Sequence, residues 1–419
     1  MIVLVVNAGS SSLKYQLFDT EKNYEMLAKG LCDCIGLKEG GRIKHEAGQT
    51  KYETEVFIPD HAFAVELVVK ALTDPAHGVI KDMSEIDAVG HRIVQGGPYF
   101  SDSVLVTDAV MEDLSKCVPF APLHTNAHIQ GIKGITAVLK NVPQVLVIDT
   151  GFHCSMPEVA KTYALPRKVA KTLAVRRYGA HGTSHRYVSG EMCRILGRVE
   201  GTKIVTCHLG NGSSISAVKD GKCFDTSMGL TPLAGIIMGS RTGDMDPAIV
   251  PFIIQNYEKI PYEDRPEKFK TLSVDNVNDF MNKACGLLGV SGVSSDMRAV
   301  IAEIETNAHG CADDAKLAYD ILVYGIKKYI GAYAAAMNGC DAIVFTAGIG
   351  ENNAAIRRDV CRDMDYLGVK LDEKVNATAR GKVTKLSAPD SKVEVYLIPT
   401  NEELMIAKDT EEIVRKPGA

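Results

Sequence analysis

No long basic run occurs in the 419 residues, and the net charge is a mild −5. A protein built to neutralise a phosphate backbone needs a basic stripe, so nucleic acid is disfavoured as the main partner. No apolar run approaches the ~18–20 residues that a membrane-spanning helix requires. The opening "MIVLVV" has neither a basic flank nor a cleavage site. It reads as a strand rather than a signal peptide, and a cytoplasmic location is expected. Pro/Ser-rich linkers and low-complexity segments are also missing, so any domain boundary falls at a short structured crossing. The eleven cysteines are odd in number and scattered through apolar segments, which argues against a disulfide framework. Cys32 and Cys34 form the only close pair, and their C-x-C spacing lacks the second half of a zinc site.

Apolar content is that of an ordinary globular chain, and the length suits about two to three domains. Short apolar runs read as strands: Ile2 to Val6, Lys14 to Phe18, Ala88 to His91, Val145 to Ile148, Ile204 to His208, Ile215 to Val218, Ala342 to Thr346 and Val393 to Ile398. Helical patterns lie between them, at Ala62 to Ala71, Asp108 to Cys117, Ala127 to Val138, Ala315 to Met337 and Ala354 to Met364. This alternation predicts α/β layers with much parallel sheet. One plan occurs twice. "VLVVNAGSSSLKYQLFD" and "IVTCHLGNGSSISAVKDG" each run strand, Gly-Ser-Ser turn, strand, with Gly9-Ser10-Ser11 matching Gly212-Ser213-Ser214. Two such hairpins opening two α/β halves suggest a duplication, although hairpins are common enough to coincide.

The first turn offers backbone N–H groups at Gly9, the hydroxyls of Ser10, Ser11 and Ser12, and the cation of Lys14. Phosphate oxygens take such partners, because small residues allow close backbone approach. The pattern is neither a Walker A loop nor a Rossmann G-x-G-x-x-G, so alone it is a weak signal. "HLGNGSS" adds the side chains of His208 and Asn211, and "VFTAGIGENN" runs from a buried-type strand through a glycine loop toward a helix near Ala354. A helix N-terminus after such a loop suits an anion or a flat base, while a plain βα connection is the bland alternative.

Arginines flanked by small residues come next: Arg92 in "GHRIVQGG", Arg241 in "GSRTGDMDP" and Arg298 in "SSDMR". Such surroundings let a guanidinium meet a carboxylate or phosphate bidentately, although an ion pair of Arg241 with Asp244 or Asp246 is an equal alternative. Asp149 ends an apolar strand, where α/β proteins place ligands, so catalysis or metal ligation is preferred there over helix capping. His181 and His185 sit at i,i+4 in "GAHGTSH", but Gly182 is expected to interrupt the helix and the zincin glutamate is missing, so zinc is rejected. His124 and His128 share that spacing and read as loop and helix-start residues. Glu402 and Glu403 follow Pro399 at an expected helix start, where dipole complementation accounts for one of them.

Ten ordered segments, "NAGSSSLKYQLF", "GHRIVQGG", "VIDTGFH", "RRYGAHGTSH", "CHLGNGSS", "DTSMGLTPLAG", "GSRTGDMDP", "SSDMR", "FTAGIGEN" and "PTNEE", resemble the acetate kinase family, within the acetate and sugar kinase, Hsp70 and actin superfamily. The resemblance spans nearly the whole chain. It implies two actin-like (ribonuclease H-like) α/β domains with an interdomain nucleotide cleft, a homodimer, and reversible, direct in-line transfer from ATP to a short carboxylate with Mg²⁺, or Mn²⁺ in its place. The expected N-terminal domain is 1–150 plus about 385–419, and the C-terminal domain is 151–384. By the family pattern Asn7 and Glu402 are metal-associated, and Asp149, His181 and Arg241 are catalytic. Arg92, Val94, Leu123, Ala180 and Pro232 bind the carboxylate substrate. The ATP contacts are Lys14, then His208, Leu209, Gly210, Asn211 and Gly212. Asp296, Met297 and Arg298, then Gly348, Ile349, Gly350, Glu351 and Asn352, complete them.

The residue types suit that chemistry. A carboxylate is already ionised at neutral pH, so no strong base is needed. The difficulty is bringing two anions together, which cations offset. Asp149 therefore reads as organising Mg²⁺, its waters or an arginine. This chain departs from the family pattern at Ala180, where an aromatic is usual, at Gln95 for a histidine, and at Thr125-Asn126 for Asn-Pro. Loss of the ring opens space for propionate or a longer acid, each buried CH₂ being worth ~0.8 kcal/mol, unless a neighbour refills it. Acetate remains the first expectation. An actin- or Hsp70-like ATPase without a carboxylate substrate would lack the Arg/His set, and a sugar kinase would want a polar pocket. Pyrophosphate in place of ATP is disfavoured by the intact "GIGEN".

Overall fold

The computed structural model describes residues 1–416, the side chain of Leu123 excepted. The chain divides into two compact units. The first comprises Met1–Cys154, Ala180–Thr183 and the segment from Asn401 onward, and the second Ser155–Gly179 and Ser184–Thr400.

The first unit is built on an eight-stranded sheet in the order β5-β4-β3-β2-β1-β6-β8-β7. Its strands are β1 (Ile2–Ala8), β2 (Ser12–Asp19), β3 (Glu25–Asp33), β4 (Arg42–Ala47), β5 (Thr50–Glu55), β6 (Ala88–Ile93), β7 (Val104–Leu105) and β8 (Gln144–Ile148). β1, β6 and β8 are parallel, while β1 to β5 form an antiparallel meander. The unbroken apolar run of β1 follows from burial on both faces. Leu4 and Val6 pack with Val65, Val68 and Leu72 of the helix His61–Thr73, and Val3 and Val5 pack with Ile406 and Ala407 of the helix Glu402–Val414.

The second unit holds a six-stranded sheet, β11-β10-β9-β12-β14-β13. It comprises β9 (Lys203–Leu209), β10 (Ser213–Lys219), β11 (Lys222–Thr226), β12 (Ala342–Thr346), β13 (Thr384–Lys385) and β14 (Glu394–Leu397). β9 pairs antiparallel with β10 and parallel with β12, which pairs parallel with β14. The order 3-2-1-6-8 in one sheet is thus the order 11-10-9-12-14 in the other. Each sheet opens in sequence with its Gly-Ser hairpin up to the parallel pairing, at the same topological place. Because β14 lies beside β12, residues 385–400 stay with the second unit, and the returning segment starts at Asn401 rather than near 385.

Two local expectations change. Gly182 does not interrupt a helix; it is the first residue of Gly182–Leu196, with His181 outside it at φ +57°. His185, inside the helix, bonds to the hydroxyls of Thr206 and Ser214 at 2.7 Å each, a buried structural role. "AGIGEN" is not an open loop but the short helix Ala347–Asn352, whose first N–H is accepted by Glu351 at 3.0 Å.

Candidate active site

In the first unit three parallel strands end side by side. Val6 of β1 pairs with His91 of β6, and Ile93 of β6 pairs with Ile148 of β8. Asn7, Arg92 and Asp149 therefore stand at the carboxyl ends of adjacent strands, where open α/β sheets hold ligands.

Asp149 is 0 % exposed. Its Oδ2 accepts from Arg92 Nη2 and from the His181 backbone N–H, and its Oδ1 accepts from the Thr183 backbone N–H, all at 2.9 Å. Burial pushes this carboxyl upward, but the Arg92 charge and the Thr183 hydrogen bonds outweigh it and hold it below the usual carboxylate value. The carboxylate thus caps the start of the helix Gly182–Leu196 while it pins the guanidinium. Glycine is required at 182, since a Cβ there would lie 1.9 Å from the Asp149 carbonyl oxygen. That close approach places His181 in the left-handed region, where a non-glycine residue stores strain.

Arg92 is 15 % exposed, and its Nε lies 3.9 Å from Glu402 Oε2. Burial works against its charge, yet Asp149 and Glu402 together raise its pKa. It is a permanent cation with one edge committed to Asp149. Glu402 and Glu403 occupy the first turn of Glu402–Val414, whose N-cap Asn401 accepts from Leu404 N–H at 3.1 Å. Ala180 is buried, and its carbonyl accepts from His153 Nε2 at 3.0 Å. Val94 is buried beside Gln95, whose Oε1 accepts from Gly97 N–H at 2.9 Å.

In the second unit the three glycine-rich or charged segments converge on a pocket of ≈ 630 Å³. Gly210 and Asn211 come from the β9–β10 hairpin, Asp296 to Arg298 from a helix start, and Gly348, Ile349 and Asn352 from the helix Ala347–Asn352. The volume suits a nucleotide-sized ligand. Asp296 caps the helix Met297–Thr306 by accepting Arg298 N–H and also pairs with the Arg298 guanidinium at 2.6 Å. Arg241 donates to the Pro232 carbonyl at 3.0 Å, and burial lowers its pKa. Its loop is tied to the hairpin through Gly239 N–H to the Asn211 carbonyl, 3.0 Å, an approach that a Cβ at 239 would block at 1.8 Å from Asn211 Oδ1.

Comparison with known proteins decides the relationship. The sequence pattern of the acetokinase family matches residues 2–408. The chain belongs to the acetokinase family. It is 51% identical to an acetate kinase of Thermotoga maritima, over 100% of both chains. It is 48% identical to acetate kinase 2 of Clostridium perfringens, over 99% of this chain and 100% of that one. Among solved structures, that of Porphyromonas gingivalis acetate kinase superposes with a TM-score of 0.89 at 44% identity, covering 99% of this chain and 100% of that one. A propionate kinase from Francisella tularensis follows the same fold, with a TM-score of 0.87 at 37% identity over 98% and 99%.

Of the residues singled out from the acetokinase resemblance, Asn7, Lys14, Arg92, Val94, Asp149, Ala180, His181 and Glu402 belong to the first unit. Pro232, Arg241 and the remaining ATP segments belong to the second. The side chain of Leu123 lies outside the described residues. Lys14 faces Asn7 across the β1–β2 pair and lines a separate groove of ≈ 330 Å³ with Lys29, Lys44 and Glu403. His208, Leu209, Gly212, Gly350 and Glu351 are not on the ≈ 630 Å³ pocket's lining. His208 Nδ1 is engaged by Ser184 Oγ at 2.8 Å, and Glu351 accepts the N–H groups of Ala347 and Thr400.

Sequence reasoning missed Ser295, Asn353 and Arg380, which also line that pocket. Ser295 and Asn353 adjoin chosen segments, so the signal was there; Arg380 stands alone in sequence. It missed Arg357 too, which is 0 % exposed. Its guanidinium donates to the carbonyls of Gly350, Glu351, Asn376 and Ala379 and to Asn376 Oδ1, at 2.8–3.1 Å. Burial and the nearby charge of Arg380 lower its pKa to about 10. It ties the pocket helix to the helix Glu373–Thr378. Arg357→Leu strands four buried carbonyls, and an unfolding free energy lower by about 3 kcal/mol is expected in a urea titration. A loss below about 0.5 kcal/mol would show the carbonyls find other donors.

The metal expected from the resemblance is compatible with this donor set. Asn7 and Glu402 supply hard oxygens, and among the described residues no group of three or more His, Cys, Asp or Glu is placed to cage an ion. Mg²⁺ bound by one or two protein oxygens, with water and phosphate completing its shell, needs no such cage.

Proposed function

We propose that the chain reversibly transfers the γ-phosphoryl group of ATP to a short carboxylate, acetate first, giving acetyl phosphate and ADP. The observation that carries the reading is Arg92, held beside the buried Asp149 at the carboxyl ends of the parallel strands. A guanidinium fixed on one edge presents its remaining donors to a second carboxylate, which is how an anionic acceptor is oriented for in-line attack. The carboxylate oxygen attacks phosphorus and the ADP oxygen leaves; no proton has to move.

Asp149 acts here as a positioning residue, because its oxygens are taken by Arg92 and two N–H groups. It also sets the His181 backbone. His181 and Arg241 are assigned to charge on the transferring phosphoryl group, and the ≈ 630 Å³ pocket to the nucleotide. Asn7 and Glu402 would hold Mg²⁺, which supplies neutralisation of the phosphate oxygens. A cytoplasmic homodimer is part of the proposal. No helix among the described residues is long and apolar enough to cross a membrane, and no disulfide links the cysteines described.

The test is hydroxylamine trapping of the acyl phosphate with Mg-ATP and acetate, propionate or butyrate, reading kcat/KM for each. Acetate is expected to lead; absence of product with every acid sinks the reading. Ala180 is the position to probe next. Ala180→Phe should narrow the pocket and lower the propionate-to-acetate ratio of kcat/KM about 10-fold, the scale of one methylene's discrimination in a filled pocket. An unchanged ratio would mean that the side chain at 180 does not line the acyl site.

A further inference from the structure

Among the buried polar atoms described in the first unit, Arg42 Nε, Arg92 Nε, Thr125 Oγ1 and His128 Nδ1 have no hydrogen-bond partner, and the last three lie toward the strand ends. Thr125 is 0 % and His128 3 % exposed. Leaving such a group unsatisfied costs roughly 1–3 kcal/mol, and native structures contain few of them. Two on successive positions of one helix face call for a ligand group that they would meet.

The helix Pro122–Val138 sets where that group would be. Thr125, His128, Ile132 and Ile135 follow i, i+3, i+7, i+10, a single face. Ile132 packs with Ile93 and Ile148, and Ile135 belongs to the core with Leu4 and Val6, so the face looks onto the sheet. Toward the helix start the same face reaches the carboxyl ends of the strands. There His128 is close enough to feel the charges of Arg92, His124, His91 and Asp149. Burial and the Arg92 charge keep its imidazole neutral, with a pKa lowered to about 3. A neutral imidazole nitrogen and a threonine hydroxyl do not select a second charge. They select a group that can both donate and accept one hydrogen bond, which is a hydroxyl.

We propose that Thr125 Oγ1 and His128 Nδ1 form a hydroxyl-binding subsite beside Arg92, which extends the acceptor range of the enzyme to short 2-hydroxy acids. The inference rests on the acyl-kinase reading above. The substrate carboxylate lies on Arg92 and its hydroxyl on Thr125 and His128. The bond-making is unchanged: a carboxylate oxygen attacks the γ-phosphorus, ADP departs, and the hydroxyl stays protonated. The Thr125-Asn126 departure from the family's Asn-Pro supplies this threonine, and the small Ala180 is compatible with a bulkier acyl group.

The experiment compares lactate with propionate, which differ only by that hydroxyl, in the hydroxylamine assay with Mg-ATP, acetate serving as the reference acceptor. The expected kcat/KM for lactate exceeds that for propionate by about 10-fold or more, because a site built to bond a hydroxyl rejects the analogue lacking it. The ratio should fall about 10-fold in Thr125→Val and again in His128→Leu, the size of one neutral hydrogen bond. A wild-type ratio at or below one, with acetate phosphorylated, overturns the subsite and leaves the acyl-kinase reading standing. So does a ratio that neither substitution moves in folded protein. No product from acetate, propionate or lactate removes both. The wild-type ratio decides the matter even if a variant fails to fold.

Discussion

Asp149→Asn lowers kcat/KM for acetate by about 10³-fold, the expected scale for a misplaced charge-stabilising group in a buried site. Asparagine keeps the shape and can still accept one backbone N–H, but it removes the charge opposite Arg92. The guanidinium is then buried without its main counter-charge, with Glu402 no nearer than 3.9 Å. Breaking a buried pair from one side costs about 3–5 kcal/mol, whatever the pair's net worth. Two consequences follow from the hydrogen bonds. Arg92 loses the contact at 2.9 Å that fixes its direction, and the His181 and Thr183 N–H groups lose an anion. The damage should appear in both kcat and KM, since Arg92 orients the acceptor and His181 is assigned to the phosphoryl charge. Near-normal kcat/KM in folded Asp149→Asn would show that Arg92 is held by other means. A pure KM effect would confine Asp149 to substrate binding.

The pair was visible in sequence because of where its members stand. Asp149 ends the apolar run of β8, and Arg92 follows a short apolar run between small residues. Both are signals of strand ends, and strand ends are where this architecture places chemistry. What Asp149 does there was less visible. Its two N–H partners come from residues 181 and 183, and no local pattern announces that a strand-end carboxylate caps a helix more than thirty residues on. The apolar cores of the parallel strands were equally plain, whereas β3, β4 and β5 were not. "RIKHEA" buries alternate residues only, and its Lys44 and Glu46 face cross-strand charges such as Glu53 and Lys29. An edge meander with one solvated face offers little apolar signal.

The nucleotide pocket divides in the same way. Glycine- and Asn-rich segments are local signals, so Gly210, Asn211, Gly348 and Asn352 could be picked from their own stretches. Arg357 could not, because its acceptors lie at Gly350, Glu351, Asn376 and Ala379 and only the fold assembles them. Thr125 and His128 fall between these cases. Their unusual residue types stand out, but that both are buried with unmatched polar atoms is a property of packing alone. The helix Ala347–Asn352 shows the converse, a glycine-rich stretch that sequence favours as loop and tertiary structure winds into a turn of helix.

Stability should fall steeply as pH drops from about 6.5 toward 4, and four buried histidines of the first unit set the slope, among them His45, lowered by burial. His91 is lowered to about 4 by burial, against the hydrogen bond to Gln144 that favours its charge. His153 is lowered to about 4 by burial, against the Ala180 carbonyl and Asp149. His128 is lowered to about 3 by burial and by Arg92, His124 and His91, against Asp149. In the unfolded chain each titrates near 6.5. Between the two values the unfolded state binds the extra proton, so the stability these groups contribute is complete above pH 6.5 and is lost as pH falls. Each contributes up to about 1.4 kcal/mol per pH unit in that window. Glu351 and Glu403, raised by burial, act in the opposite sense. The histidines act across the range from pH 6.5 to 5.5. Urea midpoints measured at pH 7.5, 6.5, 6.0 and 5.5 should decline with a slope of about three to four protons, and His91→Asn should remove about one of them. A flat profile down to pH 5.5 would mean that these imidazoles are charged or solvated in the folded state, and that His128 in particular does not stand neutral beside Arg92.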